Sequence, residues 1–404
     1  MKTLLKNVTL IGSDADSLTV VDGVITALGG ACFDADRVFD LGNATLLPGA
    51  VDVHAHLREP GYEYKSTILS ATESAAKGGI TRIMAMPNLK PVPDSTDNLA
   101  VEEDLIKKYA KVFVYPFAAL TEGEKGERLS DIEALAKRVK AFSDDGVCVN
   151  DLKLLEEGMR RVKAVGGIIA SHAERKGACD PEEAEYRAVA EELELAAKTG
   201  VRYHFCHMSL KKSFRLIAEA KRQGMDITCE VTPHHLTLDL SMIKDANWKM
   251  NPPLRKRSDV EASIEALRDG TADMIATDHA PHAKSEKSAD YSAAPNGILG
   301  FETMFPAVYT ALVKTRIMDM KTLSEKTTAN PAKRFGLDHG RIAVGERAEF
   351  IALDTDEKRV YTEKEICGEA ANSPYIGAGM YGYNVFTQIG DKILYKFDEK
   401  VKEA

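Results

Sequence analysis

Short apolar runs recur through the middle of the chain, and several of them stop on an imidazole or a carboxylate. Residues 51–56, 81–86, 111–118, 139–143, 167–171, 202–206, 226–231 and 273–277 read as strands, each followed by a stretch able to hold a helix. One such helix has Ser66 as its N-cap, an alanine-rich body through Lys77, and Gly78 and Gly79 as its stop. Eight strand–helix units predict an α/β fold, a (β/α)8 TIM-type barrel. A doubly wound open sheet is the alternative, but it would not gather several strand ends around one point.

The two ends of the chain have a different texture. Residues 4–11, 17–20, 24–28, 37–39 and 44–47 read as short strands separated by Gly and Asp turns, and the pattern returns at 341–342, 350–353 and 392–395. Neither end carries enough strands to close a core alone. The expected arrangement is a small β-sandwich domain built from 1–48 plus 339–404, with the barrel, 49–338, inserted between its halves.

Composition narrows the classes of partner. A formal net charge of −9 argues against binding to a nucleic-acid backbone or an anionic membrane surface. An apolar fraction of 44% provides for a core of ordinary size. The cysteines at 32, 148, 179, 206, 229 and 367 show no Cys-x-x-Cys spacing, and Cys206 and Cys229 sit in apolar runs as core residues. A reducing, cytoplasmic compartment is the expectation. The first residues break their apolar run at Asn7 and lack a small-residue cleavage site, so no signal peptide is expected. No apolar stretch approaches the roughly 20 residues needed to span a bilayer.

The residues that end the apolar runs carry the chemistry. His54, His56, Asp145, His172, His207 and Asp278 lie on five segments, each at or just beyond the end of a candidate strand. In a parallel barrel the strand ends meet at one rim, and side chains at i and i+2 of a strand share a face. Six donors delivered this way predict a metal centre, and imidazole with carboxylate but no thiolate suits zinc. Phe142-Ser143-Asp144-Asp145-Gly146 offers two carboxylates that could bridge two cations, and spacing does not choose between them. Taken alone, the same segment reads as a simple turn. Arg58, two residues past His56, could grip a substrate carboxylate with two parallel bonds or be an ordinary surface arginine.

Four segments together resemble dihydroorotases of the bacterial branch of the cyclic amidohydrolase superfamily. They are Asp52-Val53-His54-Ala55-His56-Leu57-Arg58-Glu59-Pro60-Gly61, Met86-Pro87-Asn88, Lys249-Met250-Asn251-Pro252-Pro253-Leu254-Arg255 and Ala276-Thr277-Asp278-His279-Ala280-Pro281-His282. The likeness covers nearly the whole chain, including Asn330-Pro331-Ala332 and the terminal strands. It implies reversible, zinc-dependent interconversion of L-dihydroorotate and N-carbamoyl-L-aspartate in pyrimidine biosynthesis. His54, His56 and Asp278 would hold one zinc, His172 and His207 a second, and Asp145 would bridge; a single zinc is the other occupancy. Lys140 and Lys153 stand in reserve for the carboxylated lysine that many superfamily members use as the bridge. Asp278 would shuttle the proton. The implied substrate contacts are His56, Arg58, Asn88, Asn251, His282 and the backbone around Asn296 and Gly297.

The resemblance also implies a small-molecule substrate and permits aspartate carbamoyltransferase as a partner; a homodimer is expected because dimers are the commonest assemblies. Two features depart from the family pattern: a short segment between His172 and His207, and Asn296 where an aromatic residue is frequent. The second enzyme reading is a hydantoinase-, dihydropyrimidinase- or allantoinase-like hydrolase, and a third is a non-catalytic scaffold of the same family. His204, His234, His235, His279 and His339 are expected to pack or to support rather than to bind metal. The stretch 282–298 is expected to be a loop beside the site, with mobility that a substrate would reduce.

Overall fold

Eight parallel strand positions close into a ring in the computed structural model, which describes residues 1–30, 34–178, 180–288 and 290–403. Cys32 and Cys179 lie outside the described residues; Cys148, Cys206, Cys229 and Cys367 are free thiols. The N-terminal strands are β1 (Lys2–Leu10), β2 (Ser17–Val21), β3 (Val24–Leu28) and β4 (Arg37–Pro48). The ring follows as β5 (Ala50–Ala55), β6 (Ile80–Ala85), β7 (Phe113–Pro116), β8 (Ala118–Ala119) and β9 (Ala141–Ser143). It continues with β10 (Ile168–Ser171), β11 (Arg202–Phe205), β12 (Ile227–Val231) and β13 (Met274–Ile275). Phe117 carries β7 into β8, so these two count as one ring position.

The ring closes at β5. Ala55 bridges His279 in parallel, Asp278 N donates to His54 O at 3.0 Å, and His56 N donates to His279 O at 2.8 Å. Val51, Val53, Met84, Met86, Phe117, Ala141, Ile168, Ala170, Cys206 and Met274 share one interior core, and Phe335 and Leu337 pack into it. A separate layer, including Ile83, Phe142, Ile169, Phe205 and Val231, packs against the helices. The helix after β5 is Ile68–Gly78, and its N-cap is Thr67 rather than Ser66. Thr67 accepts from Ser70 N while Ser70 returns the bond to Thr67 N, a reciprocal cap that Ser66 is one residue too early to make. Gly79, with φ of 86°, ends this helix as expected. The third unit departs from expectation: its helix, Ile132–Leu135, is a single turn.

After the ring come β14 (Glu349–Asp354), the short pair β15 (Arg359–Val360) and β16 (Gly379–Met380), β17 (Tyr383–Ile389), β18 (Lys392–Lys396) and β19 (Lys402–Glu403). Both termini build one sheet in the order β18-β17-β14-β4-β1-β2-β3, with β19 on β4. Its own core joins Leu5, Val20, Phe39 and Leu46 to Phe350, Val385, Phe386 and Val401. Two sequence expectations change here. Residues 37–39 and 44–47 belong to one strand, because Gly42 and Asn43, with φ of 57° and 64°, bulge against Asn7 instead of turning the chain. Residues 341–342 are not a strand; the chain there meets the sheet through a single Val24–Arg347 bridge.

A buried ion pair joins the two parts. Arg82 on β6 donates from Nε (2.9 Å) and Nη2 (2.7 Å) to the two carboxylate oxygens of Glu349 on β14, and Thr81 adds a bond to the same carboxylate. Removing one member of such a pair strands a buried charge, at a cost of about 3–5 kcal/mol. Glu349→Ala is therefore expected to lower stability by about that amount in chemical denaturation. A loss under about 1 kcal/mol would show that water reaches Arg82 and that the pair is not the joint.

Candidate metal centre and substrate cavity

The six donors reach the barrel mouth from the C-terminal ends of five strands. On β5 a bulge between Asp52 and Ala55 interrupts the inward alternation of Val51 and Val53 and turns His54 and His56 to the mouth. Asp145 follows β9, His172 follows β10, His207 follows β11 and Asp278 follows β13. His207 and Asp278 hold φ angles of 36° and 50°, and Arg58 holds 69°. Non-glycine residues in this region carry backbone strain, which the surrounding ring must maintain.

Asp145 sits at the centre. Its Oδ1 is 3.3 Å from His54 Nε2 and 3.9 Å from both His172 Nδ1 and His207 Nε2; its Oδ2 is 3.5 Å from His56 Nε2. Asp145 therefore belongs to two possible metal-holding groups, one with His54 and His56 and one with His172 and His207. Asp278 Oδ1 completes the rim at 3.1 Å from His56 Nε2 and 3.6 Å from His54 Nε2. Asp144 is turned away, its carboxylate taken by the backbone and hydroxyl of Thr121. Lys140 and Lys153 are exposed on the surface and take no part.

The arrangement fits divalent cations. His54 Nε2 and Asp145 Oδ1 are buried and have no hydrogen-bond partner, a costly state for polar atoms aimed at one point. Burial disfavours a charged His54, yet Glu230 and Asp145 outweigh it and raise its pKa well above the ordinary value. Burial likewise opposes ionisation of Asp145, but the surrounding imidazoles, His54 foremost, hold its carboxyl well below the usual range. The cluster thus draws in positive charge. His207 goes the other way, its pKa depressed by burial and by His172 and His54, which leaves a neutral imidazole suited to ligation.

Substrate-type residues surround this cluster in one cavity of about 210 Å³. His56, Arg58, Asn88, Asn251, His282, Asn296 and Gly297 all line it. Burial lowers the Arg58 guanidinium to about 10, still a cation at neutral pH, and its Nε is anchored on Pro281 O at 3.2 Å. Asn88 Oδ1 accepts from His56 Nδ1 at 2.8 Å, which fixes the His56 tautomer and leaves the Asn88 amide nitrogen facing Asp145 O at 3.4 Å. His282 donates from Nε2 to Asn296 O at 2.7 Å while its Nδ1 faces Lys65 Nζ at 3.2 Å. Burial, then Arg58 and Lys65, lowers its pKa to about 3, so the ring is neutral. Gly297 is required by space as well as by its φ of 132°: a Cβ there would lie 2.7 Å from Ala280 Cβ.

Residues 43–200 match a family model described as dihydro-orotase-like. A dihydroorotase of Geobacillus sp. (strain WCH70) is 40% identical over 98% of this chain and 99% of its own length. A dihydroorotase of Geobacillus thermodenitrificans (strain NG80-2) is 41% identical over 90% of each chain. The chain belongs to the dihydroorotase family. Among solved structures, the L-hydantoinase (dihydropyrimidinase) of Arthrobacter aurescens matches with a TM-score of 0.86 and 25% identity, covering 98% of this chain and 96% of that one. The fold is thus shared with hydantoinase barrels.

The remaining histidines support the site or its frame. His279 stacks on Phe301 at 3.8 Å and accepts from Gly300 N. His235 bridges Thr232 Oγ1 and Pro252 O, His234 is buried beside it, and His339 is half-buried against Gly340 O. The segment 282–298 is fastened at several points: Lys287 Nζ donates to the carbonyls of Ala246, Lys249 and Pro295, and Asn372 holds Ala280 O and Gly297 O. These bonds also commit the Gly297 carbonyl, and Gly297 N is taken by Lys249 O.

Sequence reading missed Glu230. This fully buried carboxylate on β12 accepts from His54 Nδ1 at 2.6 Å, from His204 Nε2 at 2.9 Å and from His207 N at 3.0 Å. It therefore fixes the tautomer of one ligand and the backbone of another. Its signal in the chain is an acid inside an apolar run, which is rarely buried without partners. Cys206 also lies against His54 and Glu230, but burial holds its thiol far above the ordinary pKa, so it is no thiolate ligand. Glu230→Ala is expected to weaken divalent-metal retention about 10–100-fold in chelator competition. Unchanged retention would mean that His54 is oriented without it.

Proposed function

We propose that this enzyme reversibly hydrolyses the ring amide of L-dihydroorotate to N-carbamoyl-L-aspartate, a step of de novo pyrimidine synthesis. The observation that carries the reading is one cavity in which five strand ends set two imidazole pairs and two carboxylates beside Arg58, Asn88, Asn251 and His282. Close identity to proteins named dihydroorotase over nearly the full length supports the substrate. The donor set suits two zinc ions: His54, His56 and Asp278 on one, His172 and His207 on the other, and Asp145 between them, with one ion as the alternative occupancy. When bound, such ions acidify water and polarise a carbonyl. The domain reading that accompanies this function keeps 49–338 as the barrel and 1–48 plus 339–404 as a small β-sandwich.

The chain's own groups do the positioning and the proton transfer. Asp278, at the rim with its Oδ1 3.1 Å from His56 Nε2, takes a proton from the attacking water and delivers it to the ring nitrogen as the carbon–nitrogen bond breaks. In the synthetic direction the proton travels back. Arg58 binds the substrate carboxylate, and Asn88, its oxygen held by His56, offers its amide N–H₂. His282 would contact the same carboxylate and the Asn296–Gly297 turn would face the ring, while Lys65, 3.2 Å from His282 Nδ1, is itself paired with Glu286 at 3.0 Å. Fixing the reactants in this way lowers the entropic part of the barrel's barrier to reaction.

The hydantoinase-like reading has the shared fold in its favour. Against it stand the carboxylate at the bridging position and the cation placed for an acidic substrate. Turnover of dihydroorotate against hydantoin and dihydrouracil separates the two, and metal analysis with one turnover assay disposes of the scaffold reading. A homodimer rests on the general prevalence of dimers and an aspartate carbamoyltransferase complex on family likeness; sedimentation of the purified chain, alone and mixed, reads both. Asp278→Asn is expected to keep the far-ultraviolet dichroism of the parent and lower turnover about 10²–10⁴-fold. Near-normal turnover would remove Asp278 as the proton carrier. Arg58→Ala is expected to raise KM for dihydroorotate at least about tenfold, the loss of one charge-assisted pair; an unchanged KM would place the carboxylate elsewhere.

A further inference from the structure

Just past β10 lies a carboxylate that none of these roles uses. Glu174 Oε2 is 3.1 Å from His172 Nε2 and 2.6 Å from Asn251 Nδ2. His172 turns its other ring nitrogen, Nδ1, toward His207 Nε2 at 2.9 Å and Asp145 Oδ1 at 3.9 Å. An ionised carboxylate only accepts, so the proton of neutral His172 sits on Nε2, and Asn251 presents its NH₂ rather than its oxygen to Glu174. The 3.0 Å approach of His172 Nε2 to Asn251 Nδ2 is then two donors converging on one acceptor.

A planar amide with its nitrogen committed has its oxygen free. Asn251 lines the substrate cavity, and no bond to its Oδ1 is found among the described residues. Asn88 is fixed in the opposite sense, with its oxygen on His56 and, beyond its 3.4 Å contact with Asp145 O, one N–H left to donate. The cavity is therefore read by one asparagine that donates and one that accepts, and each orientation is imposed by the group behind it.

We propose that Glu174 is a positioning residue that sets both the metal-facing tautomer of His172 and the amide orientation of Asn251, so that Asn251 accepts from an N–H of the cyclic or opened substrate. The proposal rests on the dihydroorotate reading for its ligand, and on geometry alone for its link to His172. A donor-rich cyclic amide or ureido group matches this wall, whereas a ring that offers only carbonyls to it leaves Asn251 Oδ1 unpaired.

The test compares Glu174→Ala with Glu174→Gln in the zinc-loaded enzyme. Glu174 is partly exposed on a loop, so neither change buries an unpaired charge. Glu174→Ala is expected to raise KM for dihydroorotate about tenfold at saturating zinc, with kcat within about threefold of the parent. In the same variant, zinc retention against a chelator is expected to fall about tenfold, a readout independent of turnover. Glu174→Gln keeps an acceptor oxygen for both donors and is expected to restore KM to within about threefold. A parental KM in Glu174→Ala, unchanged zinc retention, or a glutamine variant as impaired as the alanine one would each overturn the proposal. Absence of dihydroorotate turnover in the parent enzyme would instead sink the proposed substrate, while the chelator arm would still judge the link to His172.

Discussion

Closure of the ring between its first and last strands is the constraint from which the site follows. Asp52 on β5 accepts from Thr277 N at 3.0 Å and from the Thr277 hydroxyl, and it also meets His54 N at 3.3 Å. One residue further on, Asp278 N and His54 O pair across the same seam. The first two donors leave one side of this seam and Asp278 leaves the other, so the bonds that shut the barrel also set the ligand spacing. Burial pushes the Asp52 carboxyl up to about 7 against the pull of its hydrogen bonds, which shows how far this clamp lies from water.

Around that seam the structure holds its polar groups in layers. Inside lie donors with unmet bonding capacity, His54 Nε2 and Asp145 Oδ1. Behind them stand the groups that hold them in place: Glu230 on His54 and His204, Asn88 on His56, and Glu174 on His172. Beyond these come ordinary apolar strands and helices. The order is physically sensible, because an unsatisfied polar atom survives in a folded protein only when its neighbours cannot rotate to relieve it. The left-handed backbone at Arg58, His207 and Asp278 fits the same account: strain concentrates where geometry must be exact enough for chemistry and is held there by the ring.

The terminal sheet is more than a companion. Beyond the Arg82–Glu349 pair, Thr387 on β17 donates to Ala76 O at 2.7 Å and Asn384 donates to Lys77 O at 3.0 Å, capping the last turn of helix Ile68–Gly78. This explains why β17 escaped sequence reading. Its seven residues are all buried, but Asn384, Thr387 and Gln388 interrupt the apolar pattern: the first two serve the helix end instead of solvent, and Gln388 donates to Gly390 O. Likewise, Gly42 and Asn43 read locally as a turn, and only the pairing of β4 with β1 makes them a bulge.

By itself the chain determined the alternation of strand and helix, the placement of ligand-type residues at strand ends, and the family. These are local properties: the period of apolar residues sets the element, and parallel strands leave their C-terminal residues on one rim. Spacing left Asp144 and Asp145 open, family likeness pointed to Asp145, and tertiary structure turned it to the imidazoles; tertiary structure alone decided that Lys140 and Lys153 stay in solvent and which nitrogen of each histidine points inward. Those choices depend on partners far away in sequence, such as Glu230 for His54 and Asn251 beside His172 and Glu174. No local pattern records them, because a buried carboxylate and a surface one are spelled with the same letter until the fold supplies the donors around it.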